Sequence, residues 1–155
     1  MSMKKEEFIT KALKISLSAH YHQVDKAGQP YILHPIRVAT NVVKMKQARD
    51  QDKTALYVIA LLHDVVEDTP VSLKELQAMG FPHPILAAVE LLTKRPEDKK
   101  DPSNYYTRIK KNRLARLVKL ADIGDNSDPV RLKQLPLEKQ IELKAKYRKA
   151  LKYLE

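Results

Sequence analysis

The chain has 155 residues, a formal net charge of +10, 43% hydrophobic residues and no cysteine. That length suffices for one substantial core, so one domain over residues 1–155 is expected, and the lack of thiols excludes a disulfide scaffold, thiolate zinc sites and cysteine nucleophiles. The opening MSMKKEEFITKALK has no signal-type apolar run and no later segment is long enough to span a bilayer, so a cytosolic protein without membrane contact is expected.

With only three glycines and few alternating β-branched runs, the chain reads as helices joined by short proline-marked turns. A first helix is predicted over about residues 4–20, where Phe8, Ala12, Leu13, Ile15, Ser16 and Ala19 form an apolar stripe. Gly28 and Pro30 make residues 23–33 a loop, and Pro35 opens a helix over about 35–47 with His34 at its mouth. A third helix over about 52–67 carries ALYVIALLHDVVED, the most apolar run in the chain, and is expected to be the central buried element.

Ser72 and Glu75 form a capping-box pattern for a short helix ending before Gly80, and Pro82 and Pro84 precede another at ILAAVELLTK. The charged loop RPEDKKD is expected to be mobile. Asp101-Pro102 then caps a helix bearing Tyr105 and Tyr106, of which one packs inward and the other is a secondary candidate for stacking on a base. Helix resumes at Arg113, is predicted to break between Gly124 and Pro129, and returns as a terminal helix over about 136–155. There Leu137, Ile141, Tyr147, Leu151 and Leu154 are expected to pack, with Lys139, Lys144, Lys146, Lys149 and Lys152 towards solvent. Residues 105–155 hold 14 Lys and Arg against 6 Asp and Glu, and so supply +8 of the net +10.

The decisive feature is His63-Asp64 inside the most apolar segment, because a carboxylate and an imidazole buried together are costly unless paired or bound to a cation. One helical turn on stand Glu67 and Asp68. Asp122, Asp125 and Asn126 form a second acidic group behind another apolar run, with Asp122 and Asn126 able to face one way. A single His-Asp pair is more often a satisfied core contact, and His34 before proline could simply cap a helix. Taken together, His34, His63, Asp64 and Asp122 are two imidazoles and two carboxylates, a mixed N/O set suited to Mn, Fe, Co, Ni or Zn rather than Ca or Mg. His20 and His22 either flank this pocket or end the first helix, the second being the simpler reading.

HP at 34–35, HDVVEDT at 63–69 and KLAD…N at 119–126, with AHYHQVDKAGQPYILHP upstream, resemble the HD-domain phosphohydrolases. Within them the likeness is to the alarmone (ppGpp) hydrolase branch of the RelA/SpoT-type family, and it covers about residues 8–132. The resemblance implies an all-α HD-domain helical bundle whose buried central helix carries the His-Asp motif. It implies one divalent transition ion, Mn2+ foremost, on His34, His63, Asp64 and Asp122, with Glu67 and Asp68 positioning or deprotonating the attacking water. Asn126 would contact phosphate or ribose, and the reaction would remove the 3′-pyrophosphate of a guanosine nucleotide by metal-assisted hydrolysis. Lys26, Lys94, Arg95, Lys119 and Arg131 are the cationic candidates for substrate phosphate, with Tyr31 another substrate-side candidate.

Two stretches depart from that branch: Asp25 stands where a basic residue is usual, and Ser127-Asp128-Pro129 follows Asn126 in place of a Met-Arg-Thr type continuation. The alternatives are therefore a phosphatase for another phosphorylated nucleotide, or a non-catalytic nucleotide- or nucleic-acid-binding module. The last is the weakest, because the basic C-terminal third has no zinc-finger or RNP-type motif. The expected partner is a phosphorylated nucleotide, with self-association left open.

Overall fold

The central element of the computed structural model, which describes residues 4–155, is the apolar helix α3 (Lys53–Leu62). Leu56 and every residue from Val58 to Leu62 are fully buried, and each large aliphatic side chain so placed is worth about 1.5–3 kcal/mol. Around it pack α1 (Lys5–Ala19), α2 (Leu33–Val42), α6 (His83–Leu92) and α8 (Arg113–Asn126). The 3-10 turn η1 (Asp50–Asp52) leads into α3, and α4 (Val65–Asp68) and α5 (Leu73–Ala78) follow it. A second 3-10 turn, η2 (Pro96–Lys99), then α7 (Pro102–Lys110), α9 (Pro129–Leu132) and α10 (Leu137–Leu154) complete the chain, with α10 lying on α7 and α8. No strand occurs among the described residues, only an isolated bridge between Val24 and Pro30 in the α1–α2 loop. The all-α expectation therefore holds.

Local sequence accounts for most helix ends. The side chains of Ser72, Asp101, Asn112 and Asp128 accept backbone N–H groups at the starts of α5, α7, α8 and α9, as short polar caps do. Gly80, past the end of α5, has φ 93°, a conformation a Cβ disfavours.

Four expectations need correction. The predicted helix over 52–67 is interrupted at the His-Asp motif itself: His63 ends α3 and Asp64 begins α4. At the break the His63 ring Nδ1 donates to the Ala60 carbonyl at 2.5 Å and the His63 N–H reaches the same oxygen at 3.5 Å, so together they take the acceptor that a continuing helix would offer to the Asp64 N–H. Asp64 consequently sits at φ −105°, ψ −3°, in the bridge region that active-site residues often adopt.

Conversely, α8 does not break at Gly124 but runs on to Asn126, with Ser127 N–H closing on Ile123 O at 2.8 Å. A lone glycine costs a helix only about 1 kcal/mol, less than the packing of Leu117, Val118 and Ile123 returns. The charged loop after α6 is not loose: Asp98 is buried, accepts the Arg95 N–H at 2.8 Å and receives Arg108 Nη2 at 2.6 Å. On α10 the buried residues are Leu143, Ala150 and Leu154, whereas Leu137 and Ile141 are 70% and 61% exposed and Leu151 is also exposed. Lys146 is exposed as expected, but it stands at the rim of the site cavities.

Candidate metal centre and active site

Three elements bring the predicted donors together: the first turn of α2 supplies His34, the α3–α4 junction supplies His63 and Asp64, and α8 supplies Asp122. His34 Nε2 lies 2.9 Å from Asp122 Oδ1 and 3.9 Å from Asp64 Oδ2. His63 Nε2 lies 3.0 Å from Asp64 Oδ2 and 3.6 Å from Asp122 Oδ1. One donor atom from each of His34, His63 and Asp122 falls within 4.8 Å of the others. Donors about 2.1 Å from a shared ion are roughly 3.0 Å apart at right angles and roughly 4.2 Å apart across it, so this spacing suits one coordination sphere.

The surroundings aim these donors inward. His34 Nδ1 donates to Asp125 Oδ2 at 2.6 Å, and His63 Nδ1 is committed to Ala60 O. Both Nε2 atoms thus face the carboxylates, the arrangement in which imidazole ligands are held by an outer hydrogen bond. His63 Nε2 is buried opposite two carboxylates without a well-formed hydrogen bond, a polar atom that a shared cation would satisfy. The Tyr31 hydroxyl donates to Asp64 Oδ2, and Asn126 Nδ2 donates to Asp122 Oδ1 at 2.9 Å. The donor chemistry and this atom together fit a divalent ion of the borderline class.

The electrostatics are those of a concentrated ion cluster. Burial opposes the charge of Asp122, yet the Lys119 ammonium 2.8 Å from Oδ2 and the two imidazoles hold its carboxyl well below the usual range. Asp64 is likewise desolvated, and His63 holds it down to about 2. Desolvation works against charge on His34 and His63, but the facing carboxylates outweigh it and raise both imidazoles. Asp68 moves the other way: desolvation and the neighbouring charges of Asp64 and Glu67 raise it to about 6.

Two cavities border the cluster and a third adjoins them, with lining residues shared between neighbours. A chamber of about 140 Å3 beside the donors is bordered by Glu67, Lys94, Lys119, Tyr105 and Tyr106. A larger cavity of about 510 Å3 opens past Tyr31, Asn126 and Tyr147, with Lys26, Asp68, Asp25 and Arg131 at its polar edge and Leu132, Leu135 and Leu143 behind. The third is a cleft of about 330 Å3 between η2, α7 and α10.

Of the sequence-predicted substrate residues, Lys26, Tyr31, Lys94, Lys119 and Asn126 all line one of the first two cavities. Several are already engaged: Lys119 pairs with Asp122, Tyr31 with Asp64, and Asn126 with Asp122. Glu67 borders the chamber, held by the Lys94 N–H at 2.7 Å, whereas Asp68 borders the larger cavity. Arg95 lines none of these cavities. Arg131 bridges Asp125 Oδ2 at 2.7 Å and Asp25 Oδ2 at 3.2 Å, so Asp25 is an ion-paired wall residue. Tyr105 is buried with its hydroxyl on Leu92 O, and Tyr106 stacks on Tyr153, which leaves neither ring face free for a base. His20 is buried at the end of α1 on Gln23, and His22 occupies a positive-φ turn at 73°.

Sequence reasoning grouped Asp125 with Asp122 and Asn126 but gave it no role of its own, and it missed Arg37 and Lys146 as site residues. Asp125 receives His34, Arg37 Nε at 2.8 Å and Arg131, making it the hub behind the donors; its spacing of three from Asp122 was the available signal. Arg37, three residues after His34 on the same helix face, carried a similar cue. Lys146, which lines all three cavities, had no signal among the many lysines of α10.

A helical bundle that gathers a His, a His-Asp pair and a distant Asp around one point is the architecture of the HD class, and the chain belongs to the HD domain family, whose model matches residues 31–127. It is 39% identical over 94 residues to guanosine-3′,5′-bis(diphosphate) 3′-pyrophosphohydrolase of Borreliella burgdorferi, a match covering 58% of this chain and 13% of that protein. To the enzyme of the same name in Aquifex aeolicus it is 29% identical over 126 residues, or 77% of this chain and 17% of the relative. The chain thus spans under a fifth of the length of these relatives. The fold superposes on the solved structure of a metazoan ortholog of SpoT that hydrolyses ppGpp, with TM-score 0.79, 24% identity and coverage of 99% of this chain and 89% of that one. No described helix is long and apolar enough to cross a membrane.

Proposed function

We propose that the protein is a metal-dependent phosphohydrolase that removes the 3′-pyrophosphate of a guanosine polyphosphate such as ppGpp. The observation that carries this is the buried His63 Nε2, without a well-formed hydrogen bond, within a ring of His34, Asp64 and Asp122, each braced from behind, beside a lysine-lined chamber. Those four residues would hold the ion, and Mn2+ is the proposed occupant, in keeping with their two-nitrogen, two-oxygen donor set. When bound, it would polarise a phosphoryl oxygen and bring the pKa of water near neutrality.

The remaining work falls to side chains. Lys119 keeps Asp122 ionised and Tyr31 orients Asp64, while Lys94 and Lys146 offer ammonium groups to phosphoryl oxygens. Glu67, fixed by the Lys94 N–H, and Asp68, raised to about 6, are the carboxylates in position to accept the proton of the attacking water. The cavity of about 510 Å3 has the size and mixed lining of a nucleoside pocket. One domain over residues 1–155 and a cytosolic setting belong to the same reading, supported by a core that joins Ala12 on α1 to Leu154 on α10 and by the lack of cysteine.

A second reading, a phosphatase for a different phosphorylated nucleotide, is favoured by Asp25, whose carboxylate and Arg131 partner form the wall where the alarmone branch usually carries a basic side chain. The test is to purify the protein with Mn2+, present a panel of phosphorylated nucleotides and measure phosphate against pyrophosphate, with Asp64→Ala as control. Pyrophosphate released from ppGpp only by the unaltered protein supports the first reading, and orthophosphate from another nucleotide supports the second. Inertness of metal-loaded protein towards every ester would end the enzymatic assignment.

A further inference from the structure

Lys94, Tyr106 and Lys146 line both the reaction chamber and the third cavity, the cleft of about 330 Å3. The larger nucleoside-sized cavity meets the chamber at Tyr31, Asn126, Lys146 and Tyr147, none of which except Lys146 borders the cleft. The chamber beside the metal cluster therefore shares walls with both other spaces, and Lys146 borders all three. A substrate whose nucleoside fills the large cavity and whose proximal phosphorus sits at the cluster would carry a second phosphoryl group towards Lys94 and Lys146, the two lysines that the chamber shares with the cleft.

The cleft is built for charge of that sign. Lys94, Lys99, Lys146 and Lys149 line it, and among the described residues none of these ammonium groups is ion-paired. Burial depresses Lys146, and the neighbouring Lys94, Lys26 and Lys119 depress it further against the opposing charge of Asp122, so positive charge predominates around it. Of the acids nearby, Asp98 is paired with Arg108, while Asp101, which accepts from Ser103, is exposed and lies within the field of Lys149 without forming an ion pair with it. The wall is the Tyr106–Tyr153 stack, with centroids 5.9 Å apart and planes 7° from parallel.

We propose that this cleft is the site for the distal phosphoryl group of a pyrophosphoryl ester and for the pyrophosphate product. Lys99 and Lys149 are then the residues that distinguish a diphosphoryl from a monophosphoryl group. The proposal rests on the hydrolase reading above and adds the polarity of the substrate in the site. In that reaction the oxygen of water bonds to the proximal phosphorus and the bond from that phosphorus to the ribose oxygen breaks. The ribose oxygen leaves as a hydroxyl after taking a proton, and pyrophosphate remains with its distal end between Lys99 and Lys149.

Calorimetric titration of inorganic pyrophosphate, and separately of orthophosphate, into the Mn2+-loaded protein tests this without turnover. Replacing both lysines (Lys99→Gln with Lys149→Gln) is expected to weaken pyrophosphate about tenfold, the effect of losing roughly 1.4 kcal/mol of charge-assisted contact, and orthophosphate by less than about twofold. The control pair Lys144→Gln with Lys152→Gln removes the same charge from α10 outside the cleft and should leave both anions unchanged within about twofold. Equal weakening of both anions, equal effects of the two pairs, or unaltered pyrophosphate affinity in the cleft variant would each overturn the proposal. If ppGpp proves inert while the binding pattern holds, the cleft stands and the substrate reading falls; if ppGpp is hydrolysed but the cleft variant binds pyrophosphate normally, the reverse holds.

Discussion

Metal binding should stabilise this protein by an amount its own size sets, and Asp64 gives a clean way to remove the effect. A ligand present at about a thousand times its dissociation constant stabilises the folded state by about 4.1 kcal/mol. At about 2.1 cal/mol/K per residue, the 155-residue chain unfolds with an entropy of about 0.33 kcal/mol/K, so the midpoint should rise by about 12 °C. Asp64→Asn is the informative variant because the Tyr31 hydroxyl can still donate to the amide oxygen, so the apoprotein keeps its local contact while the site loses a charged donor. Asp122→Asn would be less clean, since it strands Lys119, a side chain only 13% exposed. Differential scanning calorimetry with and without Mn2+ should show the full shift in the unaltered protein and no more than a few degrees in Asp64→Asn, with similar metal-free midpoints. Equal shifts in the two proteins would refute Asp64 as a donor, and no shift in either would refute the cluster as a metal site.

Asp125→Asn weakens the acceptor shared by His34, Arg37 and Arg131; chemical denaturation should show a loss of about 3–5 kcal/mol, and metal affinity should fall about 10- to 100-fold. Asp68, raised to about 6, must be ionised to accept a proton, so kcat/KM should decline with acid below about pH 6 in the unaltered protein and lose that limb in Asp68→Asn. Its linkage runs the other way: a carboxyl raised on folding stabilises most below its unfolded value and loses that contribution as pH rises through about 6, so the metal-free Asp68→Asn protein should gain stability relative to the parent at pH 8. On α10, Leu143→Ala should cost about 2–5 kcal/mol in denaturant melts, whereas Leu137→Ser and Ile141→Ser should each stay within about 0.5 kcal/mol, the reverse of what periodicity suggests for those two positions.

The basic C-terminal third acquires a direction from the fold. Lys119, Lys146 and Lys149 turn towards the site and its neighbouring cleft, a field that favours an anionic substrate. Lys144 and Lys152 line none of the three cavities.

Periodicity and capping chemistry are local, and local rules sufficed for the helical class, the burial of α3, the caps at Ser72 and Asp101, and the suspicion that His63 and Asp64 could not lie unpartnered in so apolar a run. The candidate donors could be singled out because few residue types satisfy a cation in a dry interior, and the family resemblance proposes the same four as ligands. What local rules could not decide were contests settled by contacts from elsewhere. The Ala60 carbonyl receives the His63 ring instead of the Asp64 N–H, Gly124 stays helical because its neighbours pack, and α10 buries Leu143, Ala150 and Leu154 in place of Leu137 and Ile141, which sets the exposed Lys146 at the rim of the cavities. The bracing of His34 by Asp125, 91 residues away, and the shared walls of the three cavities exist only once the chain has folded, since sequence distance carries no information about which side chains share a space.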